Sequence, residues 1–288
     1  MENYVVITDS ASDITPEEAR GLGGTLEVLP LQISIGGESF RDGVDLDHRQ
    51  FYERLVESDE LPQTSMIAPF AFHEAFQRAV DDGRKVLAIT LSGRLSGTHG
   101  SAVQAAADFP GQVQVVDSLN AAIGERIQVE YALRLLQGGK GVDEVAAEVA
   151  ARSGSVRLLA LLDTLEYLKK GGRIPPATAV MGDLLSIKPV ITLRDGEVAV
   201  LGKARGSKNG SNFLIKGIAD CGGVDFSLPY RLGYTGLSDA TLRKYIRDSE
   251  DLWRGHVDED GLPVSLVGAT IGTHVGPGAI AVAFYAGR

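Results

Sequence analysis

The stretch VLAITLSGRLSGTHGSA, Val86 to Ala102, decides how the first half of the chain is read. Val86 to Leu91 is a short, largely apolar run, the pattern of a strand buried on both faces of a parallel sheet. A turn crowded with Gly and Ser follows, and then a helix-like segment. A helix that opens after such a turn offers free backbone N–H groups and a positive dipole end to an anion. The turn is not a Walker loop, because the Gly-Lys-Ser/Thr ending is absent. Nor is it a nucleophile elbow: in Gly93-Arg94-Leu95-Ser96-Gly97 the serine falls one residue late. It suits holding an oxyanion, with Ser96 as an added donor. The plainer reading, a Gly-rich turn serving backbone geometry alone, stays open beside it.

Two similar runs flank this one. Val5-Val6-Ile7 ends at Thr8-Asp9-Ser10, and Val113, Val115 and Val116 end at Asp117-Ser118. Helical spacing lies between and after them. Phe72, Phe76, Ala79 and Val80 share one face; so do Ile123, Ile127, Tyr131 and Leu135, and then Val142, Val145, Ala146 and Val149. Strand and helix in alternation predict an α/β unit with a three-layer parallel sheet. Right-handed crossovers would bring all strand C-terminal ends to one edge, where ligands usually bind.

The pattern changes after ARSGSVR (Ala151–Arg157). A buried run leads into a helix stopped at Gly171-Gly172. KPVITLRDGEVAVLGKARG (Lys188–Gly206) then carries two strand patterns around the turn dipeptide Asp195-Gly196. With YRLGYTG and PVSLVGATIGTHVGPGAIAVAFYAG, this half predicts an α+β domain with a mixed or antiparallel sheet. The expected division is residues 1–154 and 155–288.

The whole composition narrows the classes. The chain has 288 residues, 44% hydrophobic and 23% charged, with a formal net charge of −10. Such an acidic protein is a poor partner for nucleic acid or an anionic membrane. A single cysteine, Cys221, excludes an internal disulfide and a cysteine zinc site and fits a reducing cytoplasm. The start, MENYVVITDS, lacks the form of a signal peptide, and no stretch reaches membrane-spanning length. Five scattered histidines without metal-ligand spacing give a metal no support.

Several further stretches carry hydrogen-bond donors. TDSASD (Thr8–Asp13) follows a strand; its plainer reading is turn capping by Asp9 or Ser10. QTSMIAP (Gln63–Pro69) offers the hydroxyls of Thr64 and Ser65, again with local capping as the alternative. KKGGRI presents Arg173 after a helix stop, where a solvated arginine is commonplace. In IGTHVGPGA, His274 is expected on a loop between an apolar strand and a Gly-Pro-Gly turn, a credible donor to a carboxylate or phosphate. Hydroxyls, backbone N–H groups, an arginine and a histidine form a set of donors without an evident nucleophile and base.

These residues give the chain a resemblance to the DegV family of bacterial fatty-acid-binding proteins, the acyl-carrying partners of a fatty-acid kinase. The similarity runs nearly end to end. Its pieces are VVITDSASDIT, LPLQISIGGESFRDGVDL, LPQTSMIAP, LSGRLSGTHGSA, DTLEYLKKGGRI, LLSIKPVI and IGTHVGPGAIAVAF, in the family's order. The resemblance implies a fatty acid lying between two domains, its tail in an apolar tunnel of the first. It implies that Thr64, Ser96 and His274 hold the carboxylate, with Arg173 close to the head group. Ser65 and Gly97 would add backbone donors. Family members present the acid to an ATP-using kinase and need no cofactor of their own. The basic segment LGKARGSKNG (Leu201–Gly210), expected as a loop or hairpin end, offers Lys203, Arg205 and Lys208 to that kinase or to the phosphoryl group. Two departures from the family pattern stand out: Ile67 replaces a proline, and His99-Gly100 replaces Tyr-Gln.

Two other readings remain at this stage. One is an enzyme, phosphotransferase-like or hydrolytic, using His274 or His99, or a Ser96–His274 pair. The other is a regulatory module that holds no small molecule.

Overall fold

The computed structural model describes residues 3–22, 25–58, 60–175 and 187–287. Leu184 to Ser186 of the LLSIKPVI motif lie outside the described residues. The chain opens with β1 (Tyr4–Asp9), α1 (Pro16–Gly21) and β2 (Leu26–Leu29). An excursion follows, through β3 (Gln32–Ile35), β4 (Glu38–Arg41), α2 (His48–Glu57) and β5 (Gln63–Ser65). Then come α3 (Pro69–Asp81), β6 (Lys85–Thr90), α4 (Thr98–Ala106), β7 (Val113–Asp117), α5 (Ile123–Gln137) and α6 (Val142–Ser153).

Strands β2, β1, β6 and β7 form, in that order, an all-parallel sheet. Successive residues of each strand face opposite sides. Val5 and Ile7 of β1, with Val86 and Ala88 of β6, pack under α3 and α4 against Phe72, Phe76 and Ala102. Val6, Leu87 and Ile89 point the other way, toward Ile127 of α5 and Val145 and Val149 of α6. Both faces are buried, so the apolar runs are continuous and not alternating. Helices α1 and α2 each start with a capping box, Thr15 with Glu18 and Asp47 with Gln50. Each cap contributes about 1 kcal/mol.

The second unit contains β8 (Val156–Leu161), α7 (Glu166–Lys170), β9 (Ile187–Arg194), β10 (Glu197–Arg205) and α8 (Gly206–Asp220). It continues with β11 (Arg231–Tyr234), α9 (Ala240–Asp248), α10 (Glu250–Trp253), β12 (Val264–Leu266), α11 (Ala269–Val275) and β13 (Ile280–Tyr285). Its sheet has the order β10-β9-β8-β13-β11-β12, antiparallel except for the β11–β12 pair. The β9–β10 hairpin turns at Asp195-Gly196, both with positive φ (52° and 81°), as its turn dipeptide requires. On one face, Leu159, Leu161, Val282 and Phe284 meet Leu214, Ile218, Leu242 and Tyr245. On the other, Leu158, Ala160, Ala281 and Ala283 join the cluster that contains α5. Helix α5 is therefore shared, and one hydrophobic core runs through both units.

Three local expectations change. A small antiparallel sheet, β4-β3-β5, is an addition to the sequence reading, and it carries Thr64 and Ser65. Those two residues are strand residues and not local caps; α3 starts at Ala68 with Pro69 and no side-chain cap. Second, ATIGTHV is helix α11, so His274 sits in the last turn of a helix and not on a loop. Its N-terminal N–H groups are satisfied from far away in sequence, which no local pattern reveals. Third, Lys203 and Arg205 belong to β10 and Lys208 to the first turn of α8, so this basic segment is neither a loop nor a hairpin end.

Candidate functional site

Three loops meet at the C-terminal edge of the parallel sheet. Asp9, buried at the end of β1, accepts from its own turn (Ala11 N, 3.0 Å) and from the next strand's end (Leu91 N, 2.9 Å). Burial raises its carboxyl to about 7, against the pull of these two N–H donors. Ser92 N donates to Asn120 O (2.7 Å), and Gly93 N reaches Asp117 Oδ2 (3.2 Å). Asp9 thus ties the loops together, and Ser10 Oγ accepts from Leu31 N (3.0 Å). For TDSASD the capping reading holds.

The Ser92–Gly97 turn that these bonds fix leads into α4 with Gly97 as N-cap. Ser96 Oγ accepts from Thr98 N (3.2 Å) and lies 3.0 Å from Thr98 Oγ1. Thr98 Oγ1 in turn accepts from Ile67 N (3.3 Å). Whichever hydroxyl donates within this pair, the other keeps a proton to offer. Gly97 supports this corner by its lack of a side chain: a Cβ there would sit 2.4 Å from Met66 Sδ.

Facing Ser96 are residues from three other elements. Thr64, paired with Ile33 in the small sheet, places Oγ1 2.9 Å from His274 Nε2. His274 Nδ1 is buried with no hydrogen-bond partner among the described residues, packed over Gly171 so closely that a Cβ there would lie 2.4 Å from it. Burial, and then the nearby Arg173 charge, lower His274 to about 4, so its ring is neutral at neutral pH. Arg173 follows α7 and its Gly171-Gly172 stop. It donates to Gly171 O (2.6 Å) and Leu95 O (3.3 Å). It has no carboxylate partner among the described residues, and burial lowers its own pKa. A half-buried cation with only carbonyl partners, beside neutral donors, is prepared for an anion.

Helix α11 is held by two buried aspartates of the first unit. Gly268 N donates to Asp13 Oδ1 (2.8 Å), and Ala269 N to Asp42 Oδ1 (3.3 Å). Thr270 gives both N–H and hydroxyl to Asp42 Oδ2 (3.1 and 2.6 Å). Tyr52 of α2 donates to Val267 O (3.0 Å). Acidic caps suit a helix N-terminus, and here they fix the helix that presents His274.

These donors close one end of an apolar cavity with about 740 Å³ of empty space, its mouth included. Thr64, Ser65, Ser96, Arg173 and His274 all line it; Leu31, Leu91, Leu158, Leu168, Ile191 and Val275 are among its apolar walls. The walls come from both units, and not from the first alone as the expected tunnel would. Gly97 supports the rim without lining it. Lys203, Arg205 and Lys208 lie exposed away from the cavity lining, on an edge strand and its following helix. His99 bonds Thr90 Oγ1 (3.0 Å). Ser96 and His274 are each engaged with a threonine, not with each other, so the hydrolase dyad is not formed. The local sequence gave no sign of Thr98, Asp13, Asp42 or Gly171 as supports. Among the described residues, no cluster of His, Cys, Asp or Glu is arranged for a metal, and no helix is long and apolar enough to cross a membrane.

Fold and site together define an α/β protein of two main sheets and a small third one, with an apolar chamber lined in part by hydroxyls, a histidine and an arginine. The chain belongs to the DegV family, described as an uncharacterised protein family, whose profile matches residues 3–287. A DegV domain-containing protein of Caldanaerobacter subterraneus is 32% identical, over 99% of each chain. The solved structure of a Thermus thermophilus DegV family protein, which binds fatty acid, has 32% identity and a TM-score of 0.86, covering 99% of each chain. That of DegV from Bacillus subtilis, a fatty acid binding protein, has 26% identity and a TM-score of 0.79, covering 98% of this chain and 99% of the other.

Proposed function

We propose that this protein is a carrier for a long-chain fatty acid, holding the tail in the apolar cavity and the carboxylate on Thr64, Ser96, Arg173 and His274. The observation that carries the reading is Arg173, a half-buried cation whose partners among the described residues are carbonyls, set with Thr64, Ser96 and His274 in the lining of a chamber walled by leucine, isoleucine and valine. The fatty-acid binding of the Thermus and Bacillus relatives supports it. Each buried methylene contributes about 0.8 kcal/mol, so a long tail supplies most of the affinity. The head-group bonds, about 1.5–3 kcal/mol each when charge-assisted, set orientation. Ser65 lines the mouth of the same cavity and adds a donor from β5.

The carrier presents its acid to a fatty-acid kinase for acyl-phosphate formation and performs no catalysis itself. The engagement of Ser96 and His274 by separate threonines favours this over a hydrolase. Lys203, Arg205 and Lys208 are exposed cations without ion-pair partners among the described residues, and they serve as the docking surface for that partner. Charges of this kind also protect an edge strand such as β10, so reversing all three separates the two roles. Loss of acyl-phosphate formation with lipid still bound supports docking; unchanged formation removes it.

The test of the carrier reading is retention. Ser96→Ala, His274→Ala and the pair should release bound fatty acid from the folded protein. Unaltered retention in the double variant overturns the carboxylate assignment.

A further inference from the structure

The cavity shares lining residues with two neighbouring clefts. Thr64, Arg173 and His274 also border a polar cleft with Lys170 and Gln63. Thr192 and Leu193, also in the cavity wall, border a different cleft, with about 1200 Å³ of empty space. This second cleft has a mixed wall, with Val156, Leu201 and Phe213 beside Arg157, Arg194 and Asp220, and it shares no lining residue with the polar one. The acyl cavity therefore borders both, the polar cleft through Thr64, Arg173 and His274 and the second through Thr192 and Leu193 of β9, which form a partition.

That partition is held in place. Leu193 pairs across the hairpin with Val198, another cavity-wall residue. Its side chain packs against the hydrophobic clusters of both units. Three residues further on, the hairpin tip is bound to the first unit: buried Ser92 donates its hydroxyl to Gly196 O (2.8 Å). The partition cannot swing aside without breaking that bond and the packing around Leu193.

We infer that Leu193, seated beside Thr192, is the end-stop of the acyl chamber and sets the longest tail the protein accepts. This rests on the carrier reading. A tail that reaches Leu193 has no further apolar surface to bury; one that is longer must bend back or leave its head group short of Arg173. Replacing the isobutyl group by a methyl opens the chamber into the apolar part of the second cleft. Enlarging it to a ring shortens the chamber.

The experiment measures binding of a saturated series, from lauric through palmitic and stearic to icosanoic and docosanoic acid, by delipidated wild type, Leu193→Ala and Leu193→Phe. In wild type, affinity should rise with length and then fall at a limit. In Leu193→Ala that limit should move to longer acids, with affinity gaining about fourfold per methylene beyond the wild-type limit. In Leu193→Phe it should move to shorter ones. The same limit in all three proteins overturns the end-stop and leaves the carrier standing. No binding of any acid by wild type overturns the carrier reading, and the end-stop with it.

Discussion

Thr64 Oγ1 and His274 Nε2 lie 2.9 Å apart across 210 positions of sequence, joining a three-stranded sheet of the first unit to a helix of the second. The bond sets a hydroxyl and a neutral imidazole side by side in the lining of an apolar chamber.

The ligand-free histidine should be hard to protonate. His274 titrates at about 4, below its ordinary 6.5, because of burial and the Arg173 charge. Between these values the unfolded chain takes up a proton that the folded one refuses. Ligand-free stability from this group is therefore lost as pH falls from 6.5 toward 4. A carboxylate in the site stabilises the imidazolium and raises the value. Ring-resonance titration by NMR should show a midpoint near 4 without acid and a higher one with it. A ligand-free midpoint at 6.5 contradicts the site's electrostatics.

Gly171→Ala tests the packing under that ring. The Gly171 backbone is helical (φ −74°), which alanine adopts freely, yet its Cβ would lie 2.4 Å from His274 Nδ1. The variant overpacks a buried ring and should lose about 1–3 kcal/mol of stability, while retaining less fatty acid. Retention equal to wild type means that the ring position does not matter.

Asp42 acts through helix α11. Asp42→Ala leaves Ala269 N, Thr270 N and the Thr270 hydroxyl without their buried acceptor. The expected cost is about 3 kcal/mol in denaturant unfolding. Hydrogen exchange should quicken in α11 and not in the parallel sheet. Uniform quickening would mean that Asp42 supports the whole fold and not the helix that presents His274.

Glu125 provides a pH test with the opposite sign. Its side chain is fully buried, accepts from Thr8 Oγ1 (2.9 Å) and leaves Oε2 without a partner. Burial, then the neighbouring Asp9, raises its pKa well above 4.5. Above 4.5 the unfolded chain releases a proton that the folded chain keeps, so its stabilising contribution is lost as pH rises. Glu125→Gln removes that dependence. Melting temperatures of the variant should gain on wild type from pH 5 to pH 8; a constant difference would show that Glu125 does not titrate this way.

Much of the fold was legible because it is written locally. Val5–Ile7 and Val86–Ile89 are buried on both faces and so appear as unbroken apolar runs, and Asp195-Gly196 turns where its dipeptide says it should. Thr64, Ser96, Arg173 and His274 were named through motif resemblance, and the fold brings all four to the lining of one cavity. What stayed hidden depends on distant partners. Helix α11 is short, and its caps are Asp13 and Asp42, more than two hundred residues earlier. The partition at Leu193 exists only because a hairpin of one unit lies against a loop of the other.

The central claim is tested most directly by extracting the natively purified protein with organic solvent and identifying what it releases by mass spectrometry. The account predicts a long-chain fatty acid in near-stoichiometric amount, greatly reduced in the Arg173→Met and His274→Ala proteins. An extract without fatty acid, from a protein that also fails to take up added acid after delipidation, would contradict it.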